Sequence, residues 1–218
     1  MAKQKIRDTI VFTFIDLLKE NRFDKITVMQ LCQAAGISRS SFYNYFDDIF
    51  EVIQAIEDAI LSSFSQVDIT AISKIDAGLV HDYHPDKFKL QPPIGFNEWF
   101  DCCDAHRASL QAMLGPHGDP YFEEKFYRSI KRHVNMLMDM DHMPNDDLRD
   151  GFNEAMTMTH LLLIKDYLLN KKTTLTRDAL SVIINSMRVG GNALGYFGAD
   201  FVSGVITNRD SSQNSKKD

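Results

Sequence analysis

The stretch at residues 26–46, ITVMQLCQAAGISRSSFYNYF, constrains the fold more than any other part of the chain. Thr27 is a good helix N-cap, and the apolar residues after it recur at the spacing of one helical face. Gly36 stands where a helix ends in a left-handed residue, and Ser38 can cap a second short helix. Phe42 and Phe46 are spaced to point inward from that second helix. The pattern therefore predicts two short helices joined by a tight turn.

The outward positions of the second predicted helix are polar or aromatic. Two short helices with a glycine turn and such a face are typical of a helix-turn-helix, whose second helix fits the major groove. Arg39 and Asn44 suit contacts to bases, and the tyrosines suit contacts to phosphates. The alternative is a polar helix face in an unrelated helical protein. The candidate DNA-binding residues are Thr27, Ser38, Arg39, Ser40, Ser41, Tyr43, Asn44 and Tyr45.

Roughly the first 60 residues resemble the TetR family of bacterial transcriptional regulators. The resemblance lies in Phe23, Ile26-Thr27-Val28, Ala34-Ala35-Gly36-Ile37-Ser38 and Phe42-Tyr43-x-Tyr45-Phe46. The run GPHGDPYF at residues 115–122 is similar to the ligand and dimer domain of one branch of that family. The resemblance implies a homodimer that binds a palindromic operator, with an effector or partner controlling release. We therefore expect a regulator, and a repressor rather than an activator.

One position departs from the family pattern. Many members have a phosphate-contacting lysine near the start of the fourth helix, where this chain has Ile49 after Asp47 and Asp48. The exchange removes a cation and adds acids, which weakens the sequence-independent part of DNA affinity. It motivates an alternative hypothesis, in which a TetR-like protein with weakened DNA binding acts through protein partners.

The net charge of -6 is unevenly distributed. Residues 1–46 carry seven basic against four acidic side chains, whereas the remainder carries 17 against 26. Only the first segment suits a phosphate backbone. No apolar run approaches the ~20 residues of a membrane span, and the charged N-terminus lacks a signal-peptide apolar region. The three cysteines, two of them adjacent, argue against a disulfide framework, so we expect a cytoplasmic protein without membrane contact.

Helical patterns continue through the rest of the chain, which predicts an all-α fold with a three-helix head, a connecting helix and a larger bundle. The predicted domains are a DNA-binding domain at 1–47, a connector at 48–66, an effector-binding and dimerisation domain at 67–207, and a disordered tail at 208–218. A break is predicted at 68–95 and one helix at 96–114. Asp119-Pro120 predicts the start of the next helix, because an N-cap precedes Pro at the first helical position.

Two further helices are predicted after Asn145 and Thr176, each of which can cap a helix. The inward side chains predicted for the first are Leu148, Phe152, Met156, Thr159 and Leu163. Those predicted for the second are Leu180, Ile183, Met187, Leu194 and Phe197.

The second domain is rich in Met and Phe, whose side chains are adaptable or large. Such a bundle suits a small apolar effector, although each of these residues could equally fill a plain core. The candidate pocket residues are Trp99, Cys103, Met113, Phe126, Tyr127, His133 and Met156.

Gly190, Gly191 and Gly195 lie inside the last predicted helix, where each Gly costs about 1 kcal/mol relative to Ala. A helix tolerates this where another element comes close, which is either a tight crossing within one subunit or a dimer interface. A two-fold DNA-binding protein needs a dimer, which favours the second. The candidate dimer residues are Met187, Gly190, Gly191, Leu194 and Phe197.

Metal and enzyme chemistry are weakly indicated. Cys102, Cys103 and His106 could gather a soft metal, but no fourth ligand is evident, and Cys103 shares the apolar stripe of a core residue. His81 and His84 lie in the predicted break, where we expect them to be solvated. The chain has no phosphate loop, dinucleotide fingerprint, zincin motif or nucleophile elbow, so we expect no enzyme activity, cofactor or metal.

Overall fold

The computed structural model describes residues 2–76, 96–170 and 172–193, and within these ranges the chain is helical and has no strand. The all-α prediction is confirmed for this part of the chain. A 3-10 turn at Phe23–Lys25 follows the first helix. The α-helices, in chain order, are α1 (Ala2–Leu17), α2 (Val28–Ala35), α3 (Arg39–Tyr43), α4 (Ile49–Asp76), α5 (Phe96–Ala105), α6 (Arg107–Met113), α7 (Pro120–Met140), α8 (Asp147–Leu169) and α9 (residues 177–193).

We call α1–α3 the head and α5–α9 the body. Each helix of the head buries one apolar stripe, which must pack against the other two helices and the start of α4. The fully buried side chains include Phe14, Leu31 and Phe42. The apolar core is continuous from the head along α4 into the body.

Local caps fix the ends of α2 and α3 where the sequence predicts them. The Thr27 hydroxyl accepts from the Gln30 N–H at 3.2 Å, and the Gln30 side chain accepts from the Thr27 N–H at 2.9 Å. Gly36 ends α2 with a φ of 65°, which a residue with a Cβ rarely adopts. The Ser38 hydroxyl accepts from the Ser41 N–H at 3.0 Å and starts α3. These capping predictions are confirmed.

The connecting helix α4 is longer than predicted. It begins after Asp48, whose carboxylate accepts from the Glu51 N–H at 2.9 Å, and it continues for 28 residues to Asp76. The predicted end near residue 66 and the predicted break from 68 are wrong over 68–76. The helix persists because Phe64 and Ala71 are buried in it, and burial on one face stabilises a helix beyond its local signals. Residues 77–95, the rest of the predicted break, lie outside the described residues.

The predicted single helix at 96–114 is two helices, because the helical hydrogen bonding is interrupted at His106, between α5 and α6. The His106 side chain lies 2.9 Å from the Ser63 hydroxyl of α4, which holds the break against that helix. The start of α7 is as predicted, since Pro120 occupies the first turn and Asp119 accepts from the Tyr121 N–H at 2.9 Å.

The faces predicted for α8 and α9 are partly wrong. Leu148 and Ile183 are exposed by 38% and 37%, although the apolar spacing predicted both to point inward. Thr176 caps α9 as predicted, whereas Asp146 rather than Asn145 caps α8. The error arises because the buried faces carry many polar residues, which a search for apolar periodicity cannot detect. These buried residues are Arg149, Asn153, Thr157 and His160 of α8, and Ser181, Asn185, Arg188 and Asn192 of α9.

A buried ion pair ties α9 to the end of α7. The Arg188 guanidinium donates to both carboxylate oxygens of Asp141, at 2.8 and 2.9 Å, and the Asn192 amide donates to the same carboxylate at 2.6 Å. All three side chains are at most 5% exposed. Such a two-pronged pair fixes direction as well as distance, so it sets the position of α9 on the body.

Candidate nucleic-acid interface

The outward face of α3 is presented by the turn and the buried aromatic residues behind it. Phe42 is fully buried and Phe46 is 2% exposed, and their rings lie 6.0 Å apart in the core of the head. The opposite face exposes Arg39, Ser40 and Tyr43, with Tyr43 48% exposed. Arg39 and Tyr43 are one turn apart, and the Tyr43 hydroxyl raises the pKa of the Arg39 guanidinium. The helix therefore offers a permanent cation and a phenol on one exposed surface.

The other predicted DNA-binding residues cap helices, are half-buried, or lie at the end of α3. Thr27 and Ser38 are exposed but hold the caps of α2 and α3. Ser41 is half-buried with its hydroxyl 2.9 Å from that of Ser38, and Tyr45 is half-buried against the core. Asn44 is exposed at the end of α3. Among the eight predicted residues, Arg39, Ser40, Tyr43 and Asn44 have exposed side chains that are not used as N-caps.

The start of α4 is an acidic surface over an apolar contact. Ile49 is only 9% exposed and packs into the head, whereas Asp47 and Asp48 are exposed. Phe50, the next residue, is 66% exposed. Ile49 is thus a core residue, and the exposed acids beside it make the start of α4 negatively charged.

The predicted pocket residues converge in the core of the body, with one exception. Trp99 packs between Phe64 and His133, with ring centroids 4.3 and 4.9 Å away. Asp68 of α4 accepts from Trp99 Nε1 at 3.2 Å and from His133 Nδ1 at 2.7 Å. The remaining predicted residues Cys103, Met113, Phe126 and Met156 are also buried.

Tyr127 is the exception, because its side chain is not buried like the others, and its place in a pocket stays a prediction. It is only partly buried, and its hydroxyl donates to Glu154, which is exposed. The α7 helix turns this side chain toward the surface because Phe126 and Ile130 occupy its inward face.

His160 is a buried polar residue that the sequence analysis missed. Its Nδ1 donates to the Met156 carbonyl oxygen at 2.7 Å, and its Nε2 has no hydrogen-bond partner among the described residues. Burial lowers the pKa of His160 to about 4, so the ring is neutral at pH 7 and Nε2 carries a lone pair. A single histidine inside a helical pattern carries no sequence signal of such burial.

The cysteines are protonated core residues. Burial raises the pKa of Cys102 to about 11 and raises that of Cys103 further, so neither thiol is a thiolate near neutral pH. In the described ranges, no group of three or more His, Cys, Asp or Glu side chains is arranged to hold a metal. His81 and His84 lie outside the described residues.

Gly191 is explained by packing within one subunit. A Cβ on Gly191 would lie 1.9 Å from Cε1 of Phe152, so α8 and α9 cross closely there. Gly191 is buried and does not support the predicted dimer interface, whereas Gly190 is exposed and Met187 packs against the core. Leu194 and Phe197 lie outside the described residues.

No model of a known protein family matches the chain, and no curated protein is significantly similar to it. Within the described part of the chain, no helix is long and apolar enough to cross a membrane.

Proposed function

We propose that the chain is a TetR-type transcriptional regulator, a repressor, that binds palindromic operator DNA as a homodimer. The observation that carries this proposal is the pair α2 and α3, capped at Thr27, Gly36 and Ser38, with an outward polar face backed by Phe42. This arrangement is what a helix-turn-helix requires, because its second helix must be rigidly held and free to enter the major groove.

Each exposed side chain of α3 has a role suited to its chemistry. Arg39 and Asn44 have the donors and acceptors that distinguish base edges, and Tyr43 and Ser40 can hold phosphate oxygens. The seven basic residues of the first 46 supply a modest attraction to the backbone, which Asp47 and Asp48 oppose. Affinity therefore depends on α3 more than on general charge, and it falls only gradually with added salt.

The exposed faces of α8 and α9 supply the dimer interface in this proposal. Residues 170–176 join the end of α8 to the start of α9, and Gly191 of α9 contacts Phe152 near the start of α8, so the two helices run antiparallel. Equal helical rise then places Leu162 level with residue 181, next to Val182. Both faces carry apolar or small residues that are exposed and recur at helical spacing, and a surface of this kind marks an interface. These are Leu148, Gly151, Ala155, Met158 and Leu162 of α8, and Val182, Ile183, Ser186 and Gly190 of α9.

The body is the place for a small apolar effector or a partner that controls release. The aromatic cluster around Trp99 and His133 is bonded to Asp68, which lies on the same continuous helix as Ile49 of the head. A molecule that changes this cluster changes the position of α4 and hence the separation of two heads. Such a molecule acts by favouring one of two existing arrangements.

Selection of bound sequences from random double-stranded DNA, with the purified full chain, tests the proposal. We expect an enriched motif with two-fold symmetry and half-sites about one helical turn apart. The same selection with Arg39→Ala should lose preference at one position in each half-site. Enrichment of no sequence, or of a motif without symmetry, contradicts the proposed function.

Sedimentation tests the dimer interface separately. Leu162→Glu places a charge at the centre of the proposed interface and should give monomers, because an unpaired buried charge is costly. Tyr121→Glu is the matched control, since Tyr121 is 70% exposed on α7, outside that interface. A Leu162→Glu variant that stays dimeric places the interface elsewhere.

The start of α4 favours a second candidate, a TetR-like protein that acts through a protein partner. Phe50 is exposed by 66% beside two exposed acids, a surface that suits a protein better than DNA. Under this alternative the selection enriches no DNA, and Phe50→Ser disrupts regulation in cells without changing the fold.

A further inference from the structure

The joint between head and body is built on one loop. The Phe23 N–H donates to the His117 carbonyl oxygen at 2.9 Å, and Nδ1 of His117 donates to the Leu18 carbonyl oxygen at 3.2 Å. Two glycines hold this loop close to the end of α6, because a Cβ on Gly118 would lie 2.0 Å from the Met113 carbonyl oxygen and one on Gly115 would lie 2.6 Å from that of Gln111. His117 thus makes two hydrogen bonds to the head, one through its carbonyl oxygen and one through its side chain.

A cleft of about 710 Å³ opens beside this loop, between the end of α1, α6 and the end of α8. Its volume lies within the roughly 300–1,000 Å³ of small-molecule sites. It is lined from both parts of the molecule: Lys19 lies in the turn after α1, and Arg107 and Gln111 come from α6. It does not include Trp99, His133 or Asp68, so it is separate from the aromatic cluster of the body.

The lining is cationic and partly apolar. Lys19 and Arg107 contribute positive charges, and none of the described residues that line the cleft is an Asp or Glu. Ala108, Ala112 and Leu168 contribute apolar surface. An anion with an apolar portion matches this combination.

Both cations can reach a ligand at little cost. The Lys19 ion pair with Asp16 joins side chains that are 65% and 69% exposed, and such surface pairs are weak. Arg107 donates to Asp104 at 2.6 Å and its guanidinium lies 4.5 Å from the centroid of the Tyr167 ring. These contacts hold the guanidinium at the cleft while using only part of its five donors.

We propose that this cleft is a binding site for a small anionic amphiphile. Its carboxylate pairs with Lys19 and Arg107, and its chain lies on Ala108, Ala112 and Leu168. Because Lys19 belongs to the head and Arg107 to the body, the bound molecule favours the head–body arrangement in which both are within reach. This coupling to DNA rests on the proposed function, and by reciprocity operator DNA changes the affinity of the ligand by the same factor.

Calorimetric titration of the full chain with decanoate tests the site without DNA. Decanoate should bind, and decyltrimethylammonium, with the same chain and the opposite charge, should not. Lys19→Gln and Arg107→Gln should each weaken decanoate about tenfold, the effect of one charge-assisted hydrogen bond. Ala108→Trp should occupy the apolar surface on which the ligand chain lies and abolish binding. The matched controls Lys25→Gln and Arg128→Gln remove exposed cations elsewhere and should bind like the parent.

Thermal melts without ligand establish that each variant is folded. Failure of the parent chain to bind decanoate overturns the proposal, as does binding that survives Ala108→Trp and both charge changes. In a second measurement, decanoate should shift the operator affinity of the parent but not that of Ala108→Trp. Decanoate binding with an unchanged operator affinity refutes the coupling, whereas a chain that binds decanoate but no DNA refutes the proposed function and leaves the site.

Discussion

The contacts that stabilise the head differ in sequence range from those that stabilise the body. In the head, the hydrogen bonds that cap α2 and α3 join residues at most six apart, as in the reciprocal cap of Thr27 and Gln30. The body also has buried polar contacts that join distant residues: Arg188 pairs with Asp141, 47 positions away, and His133 with Asp68 of α4, 65 away. The local hydrogen bonds fix the ends of α2 and α3, whereas the long-range pairs form only when whole helices of the body are correctly packed.

The largest expected loss of stability follows from replacing Arg188, which makes one of the long-range pairs. Arg188→Met leaves the Asp141 carboxylate buried with only part of its hydrogen bonding, which should lower the free energy of unfolding by about 3–5 kcal/mol. Urea unfolding followed by the fluorescence of Trp99, the single tryptophan, measures it. The control Arg128→Met removes a pair with Glu124 in which both side chains are more than half exposed, and should change stability by less than about 1 kcal/mol. Equal losses of stability in the two variants would contradict the distinction between buried long-range pairs and exposed local pairs.

The next effect is the pH dependence contributed by His160. Its pKa is about 4 in the folded chain, against 6.5 when it is exposed in the unfolded chain, so between these values the unfolded state binds more protons. Its stabilisation is complete above pH 6.5 and is lost as the pH falls toward 4, by up to about 3 kcal/mol.

His160→Leu should remove this dependence. Unfolding free energies of parent and variant, measured from pH 7 to pH 4.5, should differ in slope, with the variant flatter. Parallel curves would show that His160 does not titrate in this way.

A smaller effect, confined to the head, is expected at the cap of α2. Thr27→Ala should cost about 1 kcal/mol, because the Gln30 N–H loses its acceptor, while Thr27→Ser should cost little. Amide hydrogen exchange measures it locally: protection of the α2 amides should fall and that of the α7 amides should stay. Equal loss in both regions would mean that the head is not stabilised locally.

The same contrast explains what the sequence could predict. The turn at Gly36, the caps at Thr27, Ser38 and Asp119, and the all-α class follow from residues close together in the chain. The break at His106 could not be predicted, because it is held by Ser63, 43 positions away. The persistence of α4 to Asp76 also depends on packing against distant helices.

The candidate sites also differ in whether they could be predicted from residues close together in the chain. The exposed face at Arg39 and Tyr43 could be predicted, since it is the outside of a short, capped helix. The cleft at Lys19 and Arg107 could not, because only the folded chain brings those residues together. Gly191 had two explanations in the sequence, and the contact with Phe152 accounts for it within one subunit.

The central claim is that the exposed face of α3 contacts DNA, and the affinity of α3 variants for a selected operator tests it most directly. Tyr43→Ala should weaken binding to all sequences alike, because it removes a phosphate contact. Arg39→Ala should cost about 1–3 kcal/mol and relax the preference at one base pair. Arg128→Ala, which removes an exposed cation from α7, should bind like the parent. If Tyr43→Ala and Arg39→Ala also bind like the parent, α3 does not recognise the operator.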